Sequence, residues 1–309
     1  MRILVTGGAG FIGSNFVRHL LDTHDDQVVT LDALTYAGSK DNLGDTLDDP
    51  RHEFVEGDIR DRNLVDDLVS DVDAVVNFAA ESHVDRSIEG AKPFVTTNVQ
   101  GTQTLLDAAN EAGVDRFVQI STDEVYGQIL DGTFSEDDNL TPRNPYAATK
   151  ASADLLAQSY HTTHDLPVLI TRTINNFGPR QHPEKLIPKF IQNAAAGETL
   201  PVYGDGSNVR EWIYVEDNCR ALDLVLREGV VGEVYNIGSH AEKTNLEITE
   251  AILEAVGADD DLIDFVDDRA GHDQRYALDT SKIESLGWAP EYTFDEGLTH
   301  TVEYYLSDE

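Results

Sequence analysis

The sequence predicts an α/β protein built on a doubly wound parallel sheet, with a smaller, mixed α/β substrate-binding lobe joined to it. Three observations predict this. A glycine-rich turn, Gly7-Gly8-Ala9-Gly10-Phe11-Ile12-Gly13, sits between a first apolar run and a helix-like stretch at the start of the chain. Short apolar runs rich in β-branched residues then alternate with helix-like segments as far as Thr173, the rhythm of parallel strands joined by helical crossovers. Beyond Arg172 the rhythm breaks, and Pro179, Pro183, Pro188 and Pro201 interrupt the next stretch of chain. The predicted domains are therefore 1–173, with segments near 211–237 returning to it, and 174–309.

Residues Arg2–Thr6 read as the first strand and Ser14–Leu21 as the helix after the turn. The glycines let the chain turn tightly and bring backbone N–H groups close to a pyrophosphate at the helix amino end, the Rossmann arrangement. Val28–Leu31 gives the second strand, with Asp32 at its end. An acidic residue about 20 positions after the glycines binds a ribose 2′-hydroxyl and repels a 2′-phosphate, so the expected cofactor is NAD. Glu53–Glu56 reads as a third strand running into Gly57-Asp58-Ile59, where Asp58 either reaches an adenine or caps the next helix. Ala74–Ala80 reads as a fourth, and the small Ala79 and Ala80 let a flat cofactor pass. Glu81-Ser82-His83 come next, with His83 open between a structural and a catalytic part, and then a helix near Pro93–Ala109 carrying Thr97 and Asn98.

Phe117–Gly127, FVQISTDEVYG, is the central stretch: a buried strand whose carboxyl end delivers Thr122, Asp123 and Glu124 to the ligand crevice. Tyr146 and Lys150 are spaced i, i+4 and share one face of a helix predicted over Tyr146–Tyr160, after a loop at Pro142–Pro145. A hydroxyl, two carboxylates, a phenol and an ammonium are thus expected to converge on one sugar. Val168–Thr173 closes the strand series, and later helices are predicted near Lys189–Ala196, Asp217–Arg227, Leu246–Val256 and Glu296–Leu306.

The net charge of −36 comes from 58 acidic and 22 basic residues, of which seven are lysine. Such a field argues against nucleic-acid and anionic-membrane partners. Its spread over loops, as in Asp45–Asp49, Glu136–Asp138 and Asp259–Asp261, resembles proteins of salt-loving microbes; none of these runs has EF-hand spacing, and no metal site is predicted. The lone Cys219 precludes an internal disulfide and points to a reducing compartment. With strand-forming residues directly after Met1-Arg2 and no apolar run of membrane length, the expectation is a soluble, cytoplasmic protein.

These residues resemble the extended short-chain dehydrogenase/reductase superfamily, and within it the dTDP-glucose 4,6-dehydratases, over nearly the full length. The resemblance rests on TGGAGFIGS at Thr6–Ser14, LTYAG at Leu34–Gly38, GDIRD at Gly57–Asp61, AAESHVDRSI at Ala79–Ile88, STDEVYG at Ser121–Gly127 and YAATK at Tyr146–Lys150. It continues through NNFGPRQHPEKLIP at Asn175–Pro188, LPVYGDGSNVREW at Leu200–Trp212 and DRAGHDQRYALD at Asp268–Asp279.

The resemblance implies NAD bound by the glycine turn (Gly7, Gly10, Phe11, Ile12, Gly13), by Asp32, Leu34 and Thr35, by Asp58 and Ile59, by Ala79, Ala80 and Thr97, and by Tyr146, Lys150 and Asn176. It implies Tyr146 as the base on the sugar O4, with Lys150 and the nicotinamide lowering its pKa. Thr122 then bonds O4, Glu124 takes the C5 proton, and Asp123 protonates the leaving 6-hydroxyl. For the nucleotide sugar it implies Ser82, Asn175, Lys185, Leu186, Pro201, Tyr203, Arg210, Asn245, Arg269 and His272; on local grounds Arg210 is alternatively a surface arginine paired with Glu211 or Asp205. A homodimer through Val95–Ala109 and Tyr146–Tyr160 is also implied. Ala33, Phe177 and Ala270 depart from the family's usual lysine, tyrosine and proline. A UDP-glucose 4,6-dehydratase, a 4-epimerase or decarboxylase, and a non-catalytic NAD-binding regulator are the alternatives; an acid at Asp123 favours dehydration, and the Tyr146–Lys150 pair speaks against lost chemistry.

Overall fold

The computed structural model describes residues 1–268 and 273–307 of the chain. Its main sheet is built from β1 (Arg2–Thr6), β2 (Gln27–Asp32), β3 (His52–Glu56), β4 (Ala74–Asn77), β5 (Arg116–Thr122) and β6 (Val168–Thr173). Later in the chain come β7 (Asn175–Phe177), β8 (Leu200–Tyr203), β9 (Val209–Tyr214), β10 (Val234–Ile237), β11 (Glu242–Thr244) and β12 (Ile263–Val266). The seven-stranded sheet has the order β10-β6-β5-β4-β1-β2-β3, and every pairing in it is parallel. From β1 the chain winds outward through β2 and β3, then returns to β4 on the other side and winds outward again. The strand order reverses between β1 and β4, so the crevice for ligands opens at their carboxyl ends.

Side-chain alternation fills both faces. Ile3 and Val5 of β1 join Phe16, Val17 and Leu20 of helix Phe11–Thr23 and Cys219, Leu222 and Leu226 of helix Val215–Glu228 in one cluster. Leu4, one residue out of phase, joins Val75, Phe117, Leu105 and Leu106 on the opposite face. The same pattern explains β10: Val234↔Ile170 and Ile237↔Thr173 set it in register against β6, so a strand from the irregular half completes the sheet.

Three elements differ from their sequence expectation. The fourth strand ends at Asn77, and Ala79 and Ala80 lie beyond it, in the crevice and outside the ladder. The helix expected near Pro93–Ala109 is Lys92–Phe94, a wider π-helical stretch Val95–Gly101, then Thr102–Ala112. The wide turns bring Asn98 inward, where its amide bonds Glu81 N at 2.8 Å, Glu81 O at 3.0 Å and Thr149 Oγ1 at 3.0 Å. Pro145 is no loop residue: it starts helix Pro145–His164, where a missing N–H costs nothing.

The remaining strands form a three-stranded sheet, β11-β9-β7, and a parallel pair, β12-β8. Helices Leu186–Ala196, Asn245–Val256 and Phe294–Leu306 pack with them around Phe177, Trp212 and Tyr214. Phe177 is fully buried, its ring 5.0 Å from Phe294 and 5.8 Å from Tyr214. A phenylalanine suits that site because a tyrosine hydroxyl there needs a partner. Ala270, like Arg269 and His272, lies outside the described residues. Among the described residues no helix is long and apolar enough to cross a membrane.

Candidate active site

A cavity of about 1060 Å³ runs from the glycine turn, across the ends of β1, β4 and β5, to β8 and helix Asn245–Val256. Every described residue expected to serve cofactor, chemistry or nucleotide sugar lines it except Leu34. Leu34 sits at φ +47 and its N–H donates to Asp32 Oδ1 at 2.8 Å, so it orients the acid instead of lining the cavity.

At the cofactor end the glycines are required by contact. A Cβ on Gly13 would lie 2.3 Å from Gly7 O, and one on Gly7, at φ +68, would lie 2.7 Å from Ala79 N. Helix Phe11–Thr23 begins at Gly10 with no side-chain cap and no acid in its first turn, so its leading N–H groups remain to meet an anion. Asp32 closes this end: Oδ2 accepts from Ala9 N at 2.9 Å, while burial pushes its carboxyl above the ordinary value against the pull of the Leu34 and Ala9 backbone bonds. A buried carboxylate beside the cradle suits a ribose hydroxyl and excludes a phosphate. The residues present therefore fit NAD.

Asp58 lines the cavity and is gripped by Arg60 at 2.5 Å; the cap of the next helix is Asp61, which accepts from Leu64 N. His83 also lines it, and burial, with the charges of Lys185 and Arg86, lowers its imidazole below the ordinary value.

At the chemical end, β5 delivers Thr122, whose hydroxyl accepts from Glu124 N at 3.3 Å and so caps the short turn Asp123–Tyr126. The same hydroxyl donates to Asp123 Oδ1 at 3.0 Å. Asp123 is only 3% exposed, and burial together with the Glu124 charge pushes its carboxyl up to about 8. It is a protonated acid at neutral pH. Glu124 Oε2 accepts from Asn144 Nδ2 at 2.8 Å.

Lys150 is buried, donates to Ile120 O at 2.5 Å, and is pulled down to about 8 by burial, with Asp154 opposing. At Tyr146 burial first, then the charges of Glu124 and Asp123, push the phenol well up, and a hydrogen bond with Thr122 opposes them.

At the far end Arg210 is 6% exposed, donates to Asp273 O at 2.9 Å and lies 4.7 Å over the Tyr276 ring. It is not a surface arginine: Glu211 instead accepts from Ser239 N and His240 N, and Asp205 from Ser207 N. Lys185 precedes helix Leu186–Ala196, and Pro201, Tyr203 and Asn245 complete that wall. Sequence reasoning passed over Tyr36, Trp212 and Tyr276, which also line the cavity. Tyr36 and Tyr276 stand inside the LTYAG and DRAGHDQRYALD segments, but an isolated aromatic among polar residues carries no period that marks it.

A dinucleotide cradle opening into the same cavity as a Tyr-x-x-x-Lys pair defines an extended short-chain dehydrogenase/reductase. Within that class the chain belongs to the GDP-mannose 4,6 dehydratase family, whose model matches residues 4–301. It is 76% identical over 309 residues, covering 100% of both chains, to the low-salt glycan biosynthesis protein Agl12 of Haloferax volcanii. It is 54% identical over 311 residues to the dTDP-glucose 4,6-dehydratase of Streptomyces niveus, covering 99% of this chain and 93% of that one. The crystal structure of DesIV, a dTDP-glucose 4,6-dehydratase from Streptomyces venezuelae with NAD and TYD bound, is 56% identical and superposes with a TM-score of 0.96, covering 99% of this chain and 97% of that one. The chain is an enzyme of this NAD-dependent dehydratase family, a hydro-lyase.

Proposed function

We propose that the protein converts dTDP-glucose to dTDP-4-keto-6-deoxyglucose and water. The observation that carries this reading is the buried Asp123, held protonated up to about 8 directly beside Glu124. Water loss across C5 and C6 needs an acid for the leaving hydroxyl and a base for the C5 hydrogen at once. A carboxyl held protonated by burial and by the charge of an adjacent carboxylate meets the first of these needs beside a candidate for the second.

Tyr146 receives the O4 proton and Thr122 hydrogen-bonds O4, fixing the sugar against the cavity wall. NAD, when bound, would supply a reversible acceptor for the C4 hydride that C6 later takes back. Once C4 is a ketone the C5 hydrogen is acidic; Glu124 removes it while Asp123 gives its proton to the departing 6-hydroxyl. Glu124 returns its proton to C5 as C6 takes the hydride, and exchange with solvent moves the O4 proton off Tyr146 and restores one to Asp123. Lys150, buried one turn along the helix from Tyr146 and anchored on Ile120 O, holds positive charge near the phenol. The glycine cradle, Asp32, Thr35, Asp58, Ile59, Ala79, Ala80, Thr97 and Asn176 hold the dinucleotide. Ser82, Asn175, Lys185, Leu186, Pro201, Tyr203, Arg210 and Asn245 hold the nucleotide sugar. The name of the Haloferax relative supports a glycan as destination of the product.

Incubation of the purified protein with dTDP-glucose, and separately with UDP-glucose, tests this reading by mass spectrometry. Loss of one water from dTDP-glucose is expected; loss from neither nucleotide sugar rejects the assignment, and loss from UDP-glucose alone reassigns the base.

A further inference from the structure

The segment 178–185 leaves β7 on the substrate side and crosses to the cofactor side, where it is fastened at three points. Asn15, on helix Phe11–Thr23, donates to Pro179 O at 3.0 Å and accepts from Arg180 Nη1 at 3.1 Å. Arg180 holds a left-handed φ of +70, a conformation a non-glycine residue keeps only where its surroundings fix it. Next, His182 Nδ1 accepts from Glu184 N at 3.3 Å, which leaves the proton on Nε2 to donate to Tyr36 O at 3.1 Å. The Tyr36 and His182 rings meet edge to face at 5.7 Å. Finally, Arg86 lies 4.3 Å over the same Tyr36 ring and grips both oxygens of Glu184, at 3.0 and 2.8 Å.

Tyr36, His182 and Glu184 line the cavity along with Asp32 and Thr35, and Arg86 touches two of the three. Tyr36 belongs to the loop after β2, Arg86 to helix Val84–Glu89, and the other two to the crossing segment. Three stretches far apart in sequence are therefore tied together around the cofactor end of the cavity. No step in the proposed reaction uses these four side chains.

We propose that Tyr36, Arg86, His182 and Glu184 form a clasp around the dinucleotide end of the cavity that sets how slowly NAD leaves. The inference rests on the reading that a dinucleotide occupies that end and must stay through turnover, since hydrogen taken from the sugar has to be given back to it. Dissociation requires the segment to lift, which breaks the guanidinium stacking and the two-point Arg86–Glu184 contact together. These are positioning residues: they act on the cofactor's residence through one another and transfer no proton.

The test loads the full chain with radiolabelled NAD, chases with excess unlabelled NAD, and measures the release rate. Arg86→Ala and Glu184→Gln are each expected to speed release by about tenfold, with the double variant no faster than the singles because the two side chains form one contact. The reciprocal exchange, Arg86→Glu with Glu184→Arg, is expected to bring release back toward the wild-type rate, a rescue that mere structural damage would not give. Wild-type release rates in both single variants overturn the clasp while leaving the dehydratase reading intact. Failure of the wild-type chain to retain NAD overturns both.

Discussion

Asn144 joins Tyr146's helix to Glu124 with a single amide: its Oδ1 accepts from Ala147 N at 2.8 Å as the helix cap, and its Nδ2 donates to Glu124 Oε2 at 2.8 Å. The phenol and the C5 base are thereby held in one frame although 20 residues separate Asn144 from Glu124. Asn144→Asp keeps a capping oxygen but replaces the Glu124 hydrogen bond by repulsion, whereas Asn144→Ala loses both. We expect Asn144→Ala to cost about 1 kcal/mol in unfolding experiments and Asn144→Asp much less, with turnover reduced in both. Full turnover in Asn144→Asp would show that the link to Glu124 is idle.

Asp123→Asn removes the proton donor while keeping shape. Turnover is expected to fall by about 10²–10⁴-fold, with NAD affinity little changed. A rate equal to wild type removes Asp123 from the acid role.

The pH profile is set by two groups. Asp123 and Lys150 both titrate near about 8 in the folded chain. Below that pH Asp123 carries its proton and Lys150 its charge; above it both are lost, so turnover at saturating substrate should decline as pH rises through about 8. A rate that is level from pH 7 to about 9.5 contradicts these assignments.

Asp223 bears on stability instead. Burial acts to raise its carboxyl, but hydrogen bonds with His19 and His24 and the charge of Arg227 outweigh it and bring it to about 2, from an ordinary 3.8. Because the folded value is the lower, its contribution is present above the unfolded pKa and is lost as pH falls through the folded one. Asp223→Asn should therefore lower stability by about 2 kcal/mol at neutral pH, and the difference should shrink as pH drops from about 4 toward 2. Denaturant unfolding across that range provides the measurement.

Arg210→Lys keeps a charge but loses the planar fork that matches a diphosphate. Nucleotide-sugar affinity is expected to weaken by about tenfold or more, measured by calorimetry with dTDP-glucose. Deuterium placed on C4 of that sugar should reappear on C6 of the same product molecule; its appearance in free NADH would contradict a cofactor that stays in place.

Where local patterns dictate structure, the residues alone were legible. The glycine turn, Asp32, the Thr-Asp-Glu triplet and the i, i+4 Tyr–Lys pair are short-range signals, and all reach one cavity. The features that were not legible depend on long-range packing. Asp61, not Asp58, caps the helix after β3, a difference of three residues that turn chemistry alone does not decide. The π-helical widening at Val95–Gly101 has no signature in a stretch that is merely polar and small. The high phenol of Tyr146 comes from burial near carboxylates supplied by another strand's end, which the Tyr–Lys spacing does not contain.

Placing Val234–Ile237 at the rim of the large sheet has a consequence for biosynthesis. A ribosome that has released only the first 173 residues has made six of the seven strands and left β6 with a bare row of hydrogen-bonding groups. Such an edge invites pairing with a neighbouring nascent chain, so the N-terminal portion made alone should aggregate, and completion of the nucleotide-handling half must wait until the polypeptide has grown past Ile237.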